Sequence, residues 1–320
     1  MDFQSAFRDK EEAFLLFKED FGRSYTTQSK YLLDFDRFCH ERYPEENNLT
    51  EEIVMLWSVI RPTETSNGYV TRISVIRQFG KYLSMMGESA FILPLGLRGG
   101  DMPQMPYVFS RKGLTDFFEF ADNIPREYRS PVRHLIAPVM FRYMYCCGLR
   151  PGEARRLRQE DIDLATGKIF IRESKHYRER EIYALEDLMS LTTEYLHELH
   201  MIFPNAEALF PDRKGGYMSY DVQQNLFTLC RDRGGVSGSG TKAPNLYSFR
   251  HSFATHRIYQ WQKDGNDIGS MIPALSSYMG HTSYQHTLYY LHFVPELFND
   301  WSGFDLEQFS CLLPEVMENE

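Results

Sequence analysis

No apolar run in this sequence approaches the ~20 residues that a membrane-spanning helix needs, so no helical span is expected. The opening residues, MDFQSAFRDKEE, lack the basic-then-apolar pattern of a secretory signal. Cysteine is scarce and scattered. Cys39, Cys146, Cys147, Cys230 and Cys311 make an odd five with no Cys-x-x-Cys pair. That argues against a disulfide framework or a cysteine-pair zinc site, and a reducing, cytoplasmic setting is expected. His251, His256, His286 and His292 have no acidic or cysteine partner at ligand spacing and read as structural. Positive charge is also short. The net charge of −9 lacks the basic excess that usually marks a nucleic-acid-binding domain. Its distribution matters more than its sum, however. Acid gathers at Asp9–Asp20, Glu41–Glu52 and Glu315–Glu320, base at Arg150–Arg158, Arg172–Arg180 and Arg250–Arg257, and separated blocks still permit a basic cleft. No internal repeat is present.

What is there suits a soluble globular chain: 42% hydrophobic and 25% charged residues over 320 positions, long enough for two domains. The first part reads as helices. Phe14, Phe17 and Phe21 recur at helical spacing, as do Tyr31, Phe35 and Phe38 behind a cap at Thr26 or Thr27. Thr50 caps a third helix, with Glu51 and Glu52 at its positive end and Ile53, Leu56, Trp57 and Ile60 as the expected buried stripe. Ser66 opens a fourth, with Val70, Ile73, Ile76 and Leu83 inward and Gly87 as the stop. Its other face carries Arg72, Arg77, Gln78 and Lys81. These four read either as a solvated face or as a DNA-contacting one, cations on phosphates and Gln78 at a base edge. Pro94, Gly96, Gly99, Gly100, Pro103 and Pro106 then break every regular pattern, which places a linker over 91–106 between a domain at 1–90 and another at 107–320.

In the second domain Ser110 caps a helix, and Pro131 opens an apolar one that ends at Gly148. Pro151 sits in the first turn of the next, so Arg150 stands at a helix's positive end, where an anion is favoured. Ile169–Ile171 and Glu181–Tyr183 are short β-prone runs around a basic turn holding Arg172, Lys175, His176 and Arg178. Helices return at Leu188–Leu199 and, capped by Ser219, at Val222–Arg231. The expected fold class is therefore mainly α, an α+β chain with one small β-sheet.

The stretch 245–290 carries the chemistry. It holds Tyr247-Ser248-Phe249-Arg250-His251, then Met279-Gly280-His281, then Tyr289-Tyr290. A phenol that attacks a phosphodiester must lose a proton it normally holds to a pKa of about 10, and nearby cations ease that loss. Charge then builds on the non-bridging oxygens, which a guanidinium fork matches two at a time. Arg150, Arg250, Lys175, His281 and Tyr290 are the residue types such chemistry needs. Singly each has a plainer reading. Arg150 would pair with Glu153 or Glu160, Lys175 would be solvated, His281 would cap a helix and Tyr290 would pack in aromatic core. Their joint occurrence favours the site.

In order and type these pieces resemble the tyrosine recombinases of the phage-integrase kind, over roughly Tyr107 to Trp301, with a weaker likeness in the N-terminal half. The resemblance implies a helical, SAM-like core-binding domain at 1–90. It implies a catalytic domain of the DNA breaking-rejoining type at 107–320. Arg150 matches the arginine of the Gly-Leu-Arg box, Lys175 the hairpin lysine, Arg250 the second arginine, His281 the histidine that follows and Tyr290 the nucleophile. Tyr289 is adjacent, but the distance from His281 favours Tyr290, and Thr287 also fits. Lys175 would be the general acid for the leaving 5′-hydroxyl. The family's second box usually begins with histidine where this chain has Tyr247. A neutral phenol donates a hydrogen bond but is a poor base, so Tyr247 reads as a donor and the base for Tyr290 stays open.

The implied activity is site-specific recombination of double-stranded DNA through a 3′-phosphotyrosyl intermediate, for integration or excision of a mobile element. It would need neither metal nor ATP. Four protomers would act in the synapse, with or without sister recombinases. Arg172 and Arg178 would join the DNA contacts. The apolar tail, including Leu297, Trp301, Phe304, Phe309 and Leu312, would pack on a neighbouring protomer or on its own domain. A DNA-binding regulator with an impaired site and a type IB topoisomerase-like relaxase are the alternatives.

Overall fold

Aromatic spacing builds the first unit. Helices α1 (Arg8–Asp20), α2 (Thr26–Arg42), α3 (Glu51–Trp57) and α4 (Ser66–Met85) bury Phe7, Phe14, Phe35, Trp57 and Phe79 together. The protein is described from a computed structural model, which covers residues 2–20, 25–94, 106–172, 179–236, 243–281, 283 and 285–290. By contact the chain divides into two units, Met1–Gln104 and Met105–Glu320. Thr50 caps α3 by accepting the Ile53 N–H, as its sequence predicts. For α4 the cap is Thr65, one position before the expected Ser66, and it accepts the Gly68 N–H at 3.1 Å. Leu93 is buried in this unit, and the Phe91 N–H reaches the Leu49 carbonyl, so the unit extends past the expected boundary at residue 90.

Four residues of this unit face the other way from the sequence expectation. Arg72 was expected on the outer face, but it lies on the inward stripe with Tyr69, Ile76, Phe79 and Leu83, which recur at i+3 and i+4. It is fully buried, forks onto the Glu64 carboxylate at 2.7 and 2.6 Å, and donates to the Trp57 and Val59 carbonyls. Val70 is exposed instead. In α3, only seven residues long, the buried positions are Ile53, Val54 and Trp57, while Leu56 and Ile60 face outward. Arg77 is also engaged, donating to the Leu93 and Pro94 carbonyls at 2.8 and 3.0 Å. Gln78 is half-buried and Lys81 is exposed.

The second unit is organised around α6 (Arg133–Cys146), which is apolar nearly all round and is covered by its neighbours. Before it comes α5 (Arg111–Asp122), capped by Ser110 onto the Gly113 N–H. After it come α7 (Pro151–Ala154), then strands β1 (Ile162–Asp163), β2 (Lys168–Ile171) and β3 (Arg180–Tyr183), in that order in one antiparallel sheet. Ile169 pairs with Ile182 and Ile171 with Arg180, so Ile169, Ile171 and Ile182 form the buried face. The short β1 was not expected from the sequence. Helices α8 (Glu186–Ile202), α9 (Tyr220–Arg233), α10 (Tyr247–Lys263), α11 (Ile268–Tyr278) and α12 (Gln285–Leu288) complete the unit. Ser219 caps α9 as expected. Lys175 and Arg178, and the whole tail from residue 291, lie outside the described residues.

Candidate active site

Helix α10 is fixed at its start by Phe249, which stacks on Phe109 at 4.9 Å and meets Phe117, Phe141 and Phe227 in the core. The backbone that carries this anchor also carries Arg250 and His251. Gly148 ends α6 with φ +59, and a Cβ there would lie 2.4 Å from the Phe253 ring. That turn delivers Arg150 to the entrance of α7, where its N–H meets the Glu153 carboxylate at 2.9 Å. Gly280, with φ +64, ends α11 in the same left-handed way and presents His281.

The two arginines converge. Arg250 donates to the Gly148 carbonyl at 2.7 Å and to the Met279 carbonyl at 2.6 Å. Arg150 donates to the Gly280 carbonyl at 2.9 Å and to Glu153 at 2.7 Å. A third arginine, Arg180 at the start of β3, donates to the Tyr278 carbonyl at 2.9 Å and forks onto Glu153 with two contacts of 3.0 Å. Successive carbonyls at the C-terminal end of α11 thus hold three different guanidinium groups. That end carries the helix's unpaired carbonyls and its partial negative charge. Three positive charges against one carboxylate leave a local surplus of positive charge. Each guanidinium has more N–H donors than these bonds use, so Arg150 and Arg250 retain donors for an anion.

The electrostatics follow. Burial alone would raise the Glu153 pKa, but Arg180, Arg250 and Arg150 outweigh it and hold the carboxyl at about 2. Burial and then the neighbouring Arg150 lower Arg250 to about 9. His281 is pushed down to about 3 by burial and by Arg250 and Arg150, so it is neutral. Its Nδ1 lies 2.7 Å from the Thr287 hydroxyl. When that hydroxyl donates, the remaining ring proton sits on Nε2 and is available to a phosphate oxygen. Tyr290 is buried, at 4% exposure. Burial raises its pKa, and the charges of Arg250 and Arg150 work against that rise. Its ring lies nearly parallel to His281, at 17° and 6.4 Å.

The structure thus brings Arg150, Arg250, His281 and Tyr290 into one place. Tyr247 opens α10 half-exposed. Its backbone N–H donates to Asn245, and its phenol makes no hydrogen bond among the described residues. Arg172 is paired with Asp161 and with Glu160. Three participants were not singled out from sequence. Glu153 was read only as a partner for Arg150, and it serves Arg180 as well. Arg180 was one arginine in a basic block. His251 was read as structural, yet its Nδ1 lies 3.2 Å from the Tyr290 hydroxyl. Adjacency to Arg250 was the one sequence signal for it.

The second unit is thus mostly helical with a small sheet, and it gathers arginines and a histidine around a buried tyrosine. The chain belongs to the phage integrase family, whose model matches residues 119–296. A putative integrase/recombinase, y4rB of Sinorhizobium fredii (strain NBRC 101917 / NGR234), is 25% identical over 302 residues, covering 92% of this chain and 96% of the relative. Tyrosine recombinase XerC of Histophilus somni (strain 2336) is 26% identical over 222 residues, 69% of this chain and 68% of the relative. Among solved structures, XerH site-specific recombinase in a post-cleavage complex with palindromic difH substrate aligns with TM-score 0.64 and 19% identity, covering 84% of this chain and 76% of that one. The Tn1549 transposon integrase bound to transposon right end DNA aligns with TM-score 0.64 and 12% identity, over 92% and 99% of the two chains.

Proposed function

We propose that this tyrosine recombinase cuts and rejoins double-stranded DNA at a specific site through Tyr290. The observation that carries the reading is the convergence of Arg150 and Arg250, distant in sequence, on the adjacent Gly280 and Met279 carbonyls beside one phenol. The Tyr290 oxygen attacks the phosphorus and displaces the 5′ oxygen, leaving a 3′-phosphotyrosyl ester that conserves the energy of the broken bond. Arg150 and Arg250 clamp the non-bridging oxygens as charge builds there, and His281 adds a hydrogen bond through Nε2. Lys175 delivers the proton to the leaving 5′ oxygen. Tyr247 donates a hydrogen bond to the phosphate. Gln78 and Lys81 of the first unit, with Arg178 of the hairpin, contact the duplex. Four protomers act in the synapse, on a mobile element in the cytoplasm.

Recovery of DNA covalently bound to the full-length protein in cells, followed by sequencing, tests this. The expected result is a protease-sensitive 3′ adduct at one defined sequence, lost in Tyr290→Phe. Adducts that persist in Tyr290→Phe would remove the nucleophile. Adducts scattered without regard to sequence would make the enzyme a relaxase.

A further inference from the structure

Tyr290 is buried, so its hydroxyl must hand its proton to a group built into the site. Among the described residues the candidates within reach are few. Arg150 and Arg250 are cations and accept nothing. The Nδ1 of His281 is engaged with Thr287 at 2.7 Å, and a neutral His281 has its other nitrogen to offer the phosphate. Tyr247 is a neutral phenol, half-exposed, and makes no contact with Tyr290 among the described residues. His251 remains. Its Nδ1 lies 3.2 Å from the Tyr290 oxygen, within reach of a general base, and the ring centroids are 5.7 Å apart. Its place is set firmly, because Phe249, two residues earlier, is locked in the aromatic core.

We propose that His251 is the general base that accepts the Tyr290 proton during strand cleavage. This rests on the reading of Tyr290 as nucleophile. In the resting site His251 carries its hydrogen on Nε2 and offers the Nδ1 lone pair to the phenol. As the bond from the Tyr290 oxygen to phosphorus forms, Nδ1 takes the phenolic proton and the ring becomes imidazolium. The bond from phosphorus to the 5′ oxygen breaks, and that oxygen takes its proton from Lys175. In rejoining, the 5′ hydroxyl returns its proton to Lys175, and His251 reprotonates the departing phenol. Among the described residues, Arg250 on the same helix, Arg150 and Tyr289 act on Tyr290, and the His281 ring stacks on it, itself acted on by Arg180 and His286. Arg250 and Arg150 oppose the rise that burial imposes on the phenol's pKa, and a base in hydrogen-bond contact takes the proton as the bond to phosphorus forms.

The test is single-turnover cleavage of DNA carrying the recovered site, across pH about 5 to 9. The unmutated enzyme should gain rate with pH and level off above the imidazole titration. His251→Gln should bind DNA normally but cleave about 10²–10⁴-fold more slowly, without the levelling limb. His251→Gly should regain rate with added imidazole. Cleavage by His251→Gln at the unmutated rate and pH profile would overturn the proposal, as would a slow His251→Gly that imidazole leaves unchanged. Should both variants misfold, a substrate with sulfur at the bridging 5′ position decides with the unmutated enzyme, because its leaving group needs no proton. The rising limb must persist on that substrate, because a general acid can only make the rate fall as pH rises; a rate with no rising limb there removes His251 as base. Failure of the underlying reading looks different, since the unmutated enzyme would then form no adduct or Tyr290→Phe would form one.

Discussion

Arg180 meets Glu153 fork to fork, with both nitrogen–oxygen distances at 3.0 Å, and the same carboxylate also takes Arg150. One buried carboxylate therefore sets the spacing between an arginine of the sheet and an arginine of the proposed phosphate clamp. Without it the cations around α11 would repel one another in a largely buried site. The α11 carbonyls supply orientation, and Glu153 supplies the compensating charge.

Arg180 should accordingly be a positioning residue. Arg180→Lys keeps the charge but loses the fork, and should slow cleavage about 10²-fold through misplacement of Arg150, with DNA affinity retained. Arg180→Met breaks a buried pair and should cost about 3–5 kcal/mol in a denaturant titration. Equal cleavage rates in Arg180→Lys and the unmutated enzyme would dismiss the positioning role.

Tyr247→Phe removes one hydroxyl from the entrance of α10. As a donor to the phosphate it should be worth about 10-fold in cleavage rate, the weight of a single charge-assisted hydrogen bond. The dependence on pH should not change, since the proposed base is His251. Cleavage at the unmutated rate would remove Tyr247 from the site.

In the first unit, burial and then the charge of Asp36 push Glu11 up to about 10, so its carboxyl is held protonated. The unfolded chain ionises this group near the ordinary 4.5. Its contribution to stability is therefore intact below that pH and is lost progressively as pH rises toward 10. Glu11→Gln keeps the shape and cannot ionise. Thermal melts should show the variant gaining on the unmutated protein with rising pH, and matching it in acid.

His256 works in the opposite sense. Its Nε2 donates to the Phe109 carbonyl at 3.1 Å, and its Nδ1 accepts from the Tyr145 hydroxyl at 2.9 Å. Burial lowers its pKa to about 4 from the ordinary 6.5. The stability it contributes is complete above 6.5 and is lost as pH falls toward 4. His256→Gln can keep both bonds and should flatten that part of the melting profile. An unchanged acid limb in the variant would assign the loss to other groups.

Sequence by itself determined what is local. The caps at Thr50, Ser110 and Ser219, the turn at Gly148 and Pro151 at the start of α7 follow from neighbours a few residues apart. The order of Arg150, Arg250, His281 and Tyr290 was legible for a related reason: residue type and spacing were enough to suggest a shared task. Helix α11 was not assigned from the sequence, and it contains Pro273, a residue that disfavours a helix interior. Tertiary structure decided the rest. Arg72 turned inward because Glu64 and two carbonyls could satisfy its charge, and no residue beside it in the chain announces them. Glu153, Arg180 and His251 acquired their places only when α7, β3, α10 and the end of α11 met. A hydrogen bond or charge pair acts over a few ångströms, and folding alone brings residues from such distant parts of the chain within that range.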